Sequence, residues 1–194
     1  TITNDGTIGS LSNNNTATNN NIISGNVVND NSGTFTNSAT GSTGAVTNNS
    51  GTVDNFGTMT DVANSDVFNN HSGATVATLT NSGTATNDGT ISGDINNTGG
   101  FTNNGTGGNV TYNNFVITNN GTLGDITNVG SVTNNGTAGA ITNGGDFTNS
   151  SGATVASLTN TSNATNDGTI TGSVTNTSGT FTNSGTTGDW TNGD

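Results

Sequence analysis

The strongest constraint on the fold is a unit of about 16 residues that repeats along the whole chain. The unit follows the pattern φ-T-N-x-G-T-φ-G-x-φ-T-N-x-G-x, in which φ is usually apolar, and about twelve copies account for the 194 residues. Asparagine fills two positions of the unit almost without exception. The first position holds Asn4, Asn19, Asn37, Asn55, Asn69, Asn87, Asn103, Asn119, Asn134, Asn149, Asn166 and Asn183. The second position holds Asn13, Asn29, Asn48, Asn64, Asn81, Asn97, Asn128, Asn143, Asn160, Asn176 and Asn192, with Tyr112 standing at the remaining place.

The repeat predicts short β-strands rather than helices. It is too short for the helical repeat families, and strong helix formers are scarce in it. Threonine and β-branched residues followed by N-x-G turns favour strands. Stacked units of this kind form a single-stranded β-solenoid, or parallel β-helix, of about 12 coils spaced about 4.8 Å apart. We therefore expect an all-β fold in which residues 1–194 form one repeat array.

The asparagines explain how a chain that is only 25% hydrophobic can close a core. Strand alternation places the apolar residue inward, the next threonine outward and the asparagine inward at a corner. An unpaired buried amide costs about 1–3 kcal/mol. Stacked in register, each amide can donate to the identical amide of the next coil, as in the asparagine ladders of cross-β structures. The sequence therefore predicts two stacked asparagine ladders.

The apolar positions predict a thin core filled by two or three side chains per coil. Where alanine precedes phenylalanine in the first apolar column, the ring is expected to lean over the methyl group of the neighbouring coil. The expected pairs are Ala17 with Phe35, Ala85 with Phe101, and Ala164 with Phe181. The pattern assigns Val67 to this column in the fifth coil, so Phe68 is expected to face outward, as is Phe56.

A longer repeat is superimposed on the short one. The segment SGATVATLTNSGTATNDGTISGDI, which begins at Ser72, returns five coils later from Ser151 as SGATVASLTNTSNATNDGTITGSV. This similarity indicates tandem copying of five-coil blocks. Because solenoids need capping repeats and the pattern here shows no polar cap, we expect residues 1–194 to be a segment of a longer array or a subunit that stacks end to end.

The charge balance excludes several classes of partner. The chain has no lysine or arginine and a formal net charge of −12, so binding to nucleic acid or to an anionic membrane surface is not expected. No apolar run approaches the length of a membrane span, so membrane insertion is not expected either. The absence of cysteine rules out disulfides and thiolate metal sites and is compatible with export.

The sequence predicts no catalytic, cofactor-binding or metal site. His71, the only histidine, lies in the turn-like stretch NNHSG and is expected to be a solvated loop residue. The one dense group of acids, formed by Asp54, Asp61 and Asp66, is interpreted as a solvated edge rather than as the carboxylate pair of a glycosidase.

Structural calcium is an alternative that stays open. Some solenoids bind Ca²⁺ between coils, but the glycine- and aspartate-rich signature of that class is absent. The position before the third apolar column carries Asp61, Asp94, Asp125 and Asp189. These carboxylates are predicted to lie about 10 Å or more apart along the rod. Ligands of a shared Ca²⁺ must lie about 2.3–2.6 Å from the ion.

The outward threonines offer another functional interpretation. Threonine follows the first apolar position in ten coils, at Thr3, Thr18, Thr36, Thr86, Thr102, Thr118, Thr133, Thr148, Thr165 and Thr182. Flat Thr-x-Thr arrays resemble the ice-binding face of solenoid antifreeze proteins, while threonine also simply suits an exposed strand. The column before the apolar position is broken at Asp66, Gly100, Val116, Ser131, Asp146 and Asn163, which roughens such a face.

In the seventh coil, Tyr112 and Phe115 could stack on a sugar or on a partner.

The pattern N-x-G-T-I-x-G-x-V-x-N, as in TNDGTITGSVTN and TNNGTLGDITN, resembles the passenger repeats of large bacterial surface proteins. These are the autotransporter and filamentous-haemagglutinin-like adhesins exported by type V secretion. The likeness covers essentially the whole chain but is one of repeat style, since no catalytic or receptor-binding motif of that family is present. The resemblance implies a right-handed β-helix that serves as a stalk or adhesive fibre at the bacterial surface.

The sequence and the resemblance together predict a non-enzymatic structural or adhesive rod of an extracellular or cell-surface bacterial protein. Its expected partners are the chain itself, through end-to-end or edge contacts, and cell-surface or matrix components. A self-assembling extracellular filament subunit is the alternative function, and an ice- or glycan-binding solenoid is the third.

Overall fold

The computed structural model describes residues 1–193, which form a parallel β-solenoid of twelve coils with no helix. Two sheets make up its walls. The long sheet contains Ile2–Asn4, Thr16–Asn19, Gly33–Asn37, Gly51–Asn55, Val67–Asn70, Thr84–Asn87, Gly100–Asn103, Val116–Asn119, Ser131–Asn134, Asp146–Asn149, Asn163–Asn166 and Thr180–Asn183. The second sheet contains Thr7–Ile8, Leu11–Asn13, Ile22–Ile23, Val27–Asn29, Ser42–Thr43, Val46–Asn48, Thr58–Asn64, Thr75–Asn81, Thr90–Ile91, Ile95–Asn97, Thr106–Gly107, Val110–Asn113, Ile126–Asn128, Thr137–Asn143, Thr154–Asn160, Thr169–Ile170, Val174–Asn176, Thr186–Thr187 and Trp190–Asn192.

Each coil runs from the start of one long-sheet strand to the start of the next. The coils used below are coil 4 (residues 51–66), coil 5 (67–83), coil 7 (100–115), coil 8 (116–130), coil 9 (131–145) and coil 10 (146–162). The strands pair in parallel with their counterparts in the next coil, and Thr106–Gly107 is joined to coil 8 by a single parallel bridge to Thr122. Parallel pairing of successive copies is what a repeat of alternating inward and outward residues produces when it stacks in register.

The core is a narrow shaft inside the two sheets. Phe35, Ile91 and Leu158 are at most 1% exposed, and one continuous cluster of buried apolar side chains runs along the coils. Full burial of a side chain of this size contributes roughly 1.5–3 kcal/mol. Because the shaft is only a few side chains wide, a chain with little apolar content can fill it, as the sequence predicts.

Two ladders of asparagine side chains line the shaft at its corners. In each, the Nδ2 of one asparagine donates to the Oδ1 of its counterpart in the next coil, over 2.7–2.9 Å. The first ladder is Asn4, Asn19, Asn37, Asn55, Asn70, Asn87, Asn103, Asn119, Asn134, Asn149, Asn166 and Asn183. The second ladder is Asn13, Asn29, Asn48, Asn64, Asn81, Asn97, Asn113, Asn128, Asn143, Asn160, Asn176 and Asn192.

The ladder amides also fix the corners in which they lie. The Nδ2 of Asn87 donates to Asn103 Oδ1 at 2.7 Å and also contacts the carbonyl oxygens of Gly89 at 3.3 Å and Thr106 at 3.0 Å. One side chain therefore ties its own turn to the turn of the next coil. All members except Asn183 and Asn192 are buried. The ladders thus satisfy amides that would otherwise be costly inside the protein.

The structure corrects the register predicted for coil 5. Asn70, not Asn69, belongs to the first ladder, and Phe68, not Val67, lies in the core at 1% exposure. The sequence VFNN allows either register, and a shift of one residue exchanges the inward and outward faces. Burial of the phenylalanine ring removes more apolar surface from water than burial of the valine, which favours the observed register.

A second correction concerns coil 7, where Tyr112 stands at the predicted ladder position. The register shifts between Val110 and Asn113, so one extra residue bulges out of the second sheet. Tyr112 is thereby turned outward, to 38% exposure, and Asn113 enters the ladder between Asn97 and Asn128. The bulge keeps the second ladder continuous through the one coil where the repeat is irregular.

The predicted alanine–phenylalanine pairs are direct neighbours in register. They are Ala17 with Phe35, Ala85 with Phe101, and Ala164 with Phe181. All six side chains belong to the apolar core or pack against it. Phe56, which is 40% exposed, faces outward as predicted, whereas Phe68 does not.

Candidate functional surfaces

The described part of the chain offers surfaces rather than clefts. Residues 1–193 enclose no cavity, and they contain no group of three or more His, Asp or Glu side chains close enough to hold a metal ion. Small-molecule sites are usually concave. The features described below all lie on the outside of the coils.

The three acids that are close in sequence lie apart in the fold. Asp54 is in a long-sheet strand, Asp61 is in a second-sheet strand, and Asp66 follows the second ladder at the opposite corner. Asp61 accepts a hydrogen bond from Thr78 Oγ1 at 2.6 Å, and Asp66 accepts one from the backbone N–H of Gly51 at 2.6 Å. They do not form a carboxylate pair of the kind that glycosidases use.

The aspartates considered for calcium are separated by neutral residues. Register places Thr78 between Asp61 and Asp94, and the next aspartate, Asp125, follows only after Asn109. The steps from Asp61 to Asp94 and from Asp94 to Asp125 each span two coils, about 10 Å, and Asp189 lies four coils beyond Asp125, about 19 Å away.

His71 and Asp54 take part in a small surface cluster that the sequence does not predict. Asp54 Oδ1 accepts hydrogen bonds from Asn69 Nδ2 at 3.0 Å and from His71 Nε2 at 3.1 Å. The imidazole ring stacks face to face on Phe56, with centroids 4.0 Å apart and planes 2° apart. An ionised carboxylate only accepts hydrogen bonds, so this contact requires a proton on Nε2. His71 is thus held at the corner, and among the described residues it belongs to no group of three or more potential metal ligands.

An exposed polar ladder follows the same corner through the later coils. Asn104 donates to Asp88, Asn120 to Asn104, Asn135 to Asn120, and Ser150 to Asn135, over 2.6–2.9 Å. Its donors lie in the later coil, so its direction is opposite to that of the buried ladders. The sequence signal for it is the motif NNG, whose second asparagine lies outside the core in three successive coils.

The outward threonines form a long uninterrupted column on the long sheet. Register aligns Thr86, Thr102, Thr118, Thr133, Thr148, Thr165 and Thr182 in seven successive coils. Thr3, Thr18 and Thr36 form a shorter column in the first three coils, and Asp54 and Asn69 separate the two. The face is thus regular in one column only, because the neighbouring outward column contains Gly100, Val116 and Asp146.

An apolar patch lies where coils 7 and 8 meet at the second corner. Phe115 is 56% exposed, Val129 47%, Val116 44% and Tyr112 38%. These four side chains, hereafter the coil 7/8 patch, make up half of the large apolar residues that the described chain exposes. Exposed apolar groups clustered on a polar surface are typical of interaction sites.

The geometry defines the class of protein as a parallel β-solenoid built on continuous asparagine ladders. No protein-family model, no curated protein and no solved structure matches the chain.

The described residues contain no helix of sufficient length and hydrophobicity to cross a membrane.

Proposed function

We propose that this chain is a stiff, non-enzymatic rod of a bacterial cell-surface or extracellular protein, serving as a stalk or adhesive fibre. The observation that carries the proposal is the continuity of the two buried ladders through all twelve coils. Each coil is held to the next by backbone pairing, by a shared apolar core and by two amide bonds. A rod built in this way resists bending because no coil can tilt without breaking hydrogen bonds at both corners.

The surface of the rod fits an extracellular structural role. It carries twelve acidic residues and no lysine or arginine, which keeps it soluble and away from anionic polymers. Its adhesive contacts would be weak and repeated along the coils, to other copies or to cell-surface and matrix components. The repeat style shared with type V secreted adhesins supports this assignment, and so does the parallel β-solenoid fold, which is the fold class that the resemblance implies.

A filament subunit is a second candidate, favoured by the direction of the amide bonds. Every buried ladder bond runs from Nδ2 in one coil to Oδ1 in the next. Any further coil of the same pattern, in the same chain or in a second copy, would therefore find donors on one side and acceptors on the other. Such head-to-tail contacts do not close, and they produce open filaments.

Electron microscopy of the purified 194-residue chain separates these candidates. Twelve coils at about 4.8 Å each predict a rod about 58 Å long. Isolated straight rods of this length support the stalk, whereas long unbranched fibres of the same width support the filament. Beads coated with the chain should aggregate if the rod is adhesive, and coated beads that stay dispersed alone and with cell-surface extracts would contradict adhesion. Globular or flexible particles would contradict both candidates.

A further inference from the structure

The coil 7/8 patch differs from the rest of the surface in charge as well as in polarity. Twelve aspartates are spread along the chain, but none lies between Asp94 and Asp125, and the next after Asp125 is Asp146. Asp125 is itself engaged, since its Oδ1 accepts the backbone N–H of Ala140 at 2.8 Å. The middle of the rod is therefore nearly neutral, while both flanking parts are acidic.

The backbone that carries Phe115 is fixed by hydrogen bonds on both sides. Asn113 Oδ1 accepts the N–H of Phe115 at 3.4 Å, and the carbonyl of Phe115 accepts the N–H of Ser131 at 2.6 Å. The same Asn113 is fixed by the ladder bond to Asn128 at 2.7 Å. The phenyl ring is thus presented from a rigid corner, so binding through it would require little ordering of the chain.

A notch lies directly beside this protruding ring. Register pairs Val116 with Gly100 of the preceding coil and with Ser131 of the following one, so Phe115 lies between Gly99 and Gly130. A Cβ atom built on Gly100 would have no other atom within 4 Å, so the space above this glycine is open. The surface therefore carries a projection and a recess within one coil of each other.

We propose that the coil 7/8 patch is a self-association site at which a second copy of this chain docks about a two-fold axis. The phenyl ring of each copy enters the Gly100 recess of the other, because neighbouring projection and recess are complementary under a two-fold rotation. The recess is shallow, because it is the gap left by one missing side chain between Thr84 and Val116, and a shallow surface suits a macromolecular partner better than a small ligand. The contact deepens the adhesive part of the proposed function by naming its partner as a second rod.

Charge supports the choice of a second copy over a basic partner. Two rods that each carry a net charge of −12 repel one another over most of their length, and the neutral middle is where they can approach. A basic partner would instead favour the acidic flanks. Four side chains make a small interface. The association therefore belongs to the class of weak complexes, which bury less than about 1,200 Å² of surface in total. Its strength would come from repetition along many displayed rods.

Salt dependence distinguishes the two kinds of contact. Repulsion between like-charged rods is screened as ionic strength rises, with a Debye length of about 8 Å at 0.15 M. Self-association through the patch should therefore strengthen between low salt and physiological salt. A complex held by ion pairs would weaken over the same range.

The test is sedimentation velocity of the 194-residue chain up to about 1 mM, the range in which weak interfaces of this size associate. We expect a concentration-dependent monomer–dimer equilibrium. The variant Phe115→Thr removes the projection. The variant Gly100→Thr fills the recess with threonine, the residue that the preceding coil carries at the equivalent position, Thr84. Each should raise the dissociation constant by at least roughly tenfold, the effect of losing one interface hot spot. Phe56→Asn, which removes an exposed aromatic from another corner, should leave the equilibrium unchanged.

These measurements test the proposed dimer contact separately from the proposed stalk function. Circular dichroism confirms that the variants are folded, and rods that remain straight by electron microscopy keep the stalk proposal intact whatever the dimerisation result. A wild-type chain that stays monomeric up to the highest concentration overturns the inference. So does a dimer that tolerates Gly100→Thr, or a monomer that instead binds glycan arrays or lipid vesicles through Phe115.

A cysteine placed near the proposed axis gives an independent measurement. The chain has no cysteine of its own, so a single introduced thiol is an unambiguous probe. Val116→Cys, which lies in register beside Gly100, should form a disulfide-linked dimer under mild oxidation, whereas Phe56→Cys on the other corner should not. Equal cross-linking of the two variants would indicate random collision and contradict the proposed interface.

Discussion

Coils 4 and 5 and coils 9 and 10 have the same backbone but different outer surfaces. Both pairs replace the two short strands of the second sheet by one strand of seven residues, Thr58–Asn64 and Thr75–Asn81 in the first pair and Thr137–Asn143 and Thr154–Asn160 in the second. They are five coils apart, as the longer sequence repeat requires. The duplication seen in the sequence is therefore also a duplication of local structure.

The turn that precedes the later long strand of each pair is equivalent in detail. Gly73 and Gly152 have φ values of 84° and 85°, and the alanine after each glycine is 1% exposed. In both turns the N–H of that alanine donates over 3.0 Å to the carbonyl three residues earlier, that of His71 or Ser150. The backbone of this turn and its buried alanine have thus been kept in both copies, while the core has changed at Met59 and Val62, whose counterparts are Ala138 and Ile141.

The outer faces of the two pairs have diverged. Where coils 4 and 5 carry Asp54, Phe56, Asn69 and His71, the equivalent places in coils 9 and 10 carry Thr133, Asn135, Thr148 and Ser150. The first set forms the charged and aromatic cluster, and the second continues the threonine column and the exposed polar ladder. Residues that face the shaft are constrained by volume and by amide pairing, whereas outward residues can change without loss of the fold.

The largest effect is expected from the buried ladder, and it should be the same in both pairs. Asn70→Ala and Asn149→Ala each remove one amide from the interior and leave the neighbouring amides above and below without their partners. We expect each to lower the free energy of unfolding by about 2–6 kcal/mol, the sum of two unpaired buried groups at about 1–3 kcal/mol each. Denaturant midpoints from circular dichroism measure the loss.

The adjacent outward positions provide the matched controls for this prediction. Asn69→Ala removes only a surface hydrogen bond to Asp54, and Thr148→Ala changes the equivalent place in coil 10. Both should change the free energy of unfolding by no more than about 1 kcal/mol. A loss at Asn69 as large as that at Asn70 would show that the register assigned to coil 5 is wrong.

The inside of the rod could be predicted from the sequence because it repeats. A buried position that recurs with the same residue in nearly every coil reveals both the length of the repeat and which residues point inward. The two ladders and the apolar columns can therefore be predicted from the sequence. The prediction failed where local sequence permits two registers. In VFNN, two apolar residues precede two asparagines, and only the comparison of Phe68 with Val67 inside the packed shaft decides between them.

The outer features could not be predicted because they depend on neighbours in other coils. The stack of Phe56 on His71 joins residues 15 positions apart that share no motif. The sequence marks the seventh coil as irregular at Tyr112 and singles out Phe115, but the bulge that turns Tyr112 outward and restores Asn113 to the ladder follows only from the register of the neighbouring coils. Such contacts can be inferred only when the pairing register between neighbouring coils is known. That register is decided by how the coils pack on one another.

A smaller effect is expected at the two duplicated turns. Gly73→Ala and Gly152→Ala each place a side chain at a positive φ, although a Cβ atom would meet no neighbour within 4 Å at either site. The cost is therefore that of the backbone conformation alone, about 1–2 kcal/mol. We expect the two variants to have equal melting temperatures, below that of the parent chain.

Gly9→Ala is the control for the turn variants. Its Cβ would also meet no neighbour, but its φ is not positive, so the substitution should be neutral or slightly stabilising. Unequal losses at Gly73 and Gly152 would mean that the two copies of the turn are held differently, contrary to the equivalence of their backbones.

The smallest effect is expected when the outer surfaces are exchanged. The triple variant Thr133→Asp, Asn135→Phe and Ser150→His places the charged and aromatic cluster on coils 9 and 10, where register brings the three positions together as in coils 4 and 5. Because a stacked pair contributes about 0.5–1.5 kcal/mol and the exposed hydrogen bonds it replaces contribute a similar amount, the melting temperature should change little. In the NMR spectrum, the ring protons of the new histidine should shift upfield, as expected of an imidazole that lies against a phenyl face. A histidine without that shift would show that the backbones of the two pairs are less alike than their strands and turns indicate, and that the cluster depends on something peculiar to coils 4 and 5.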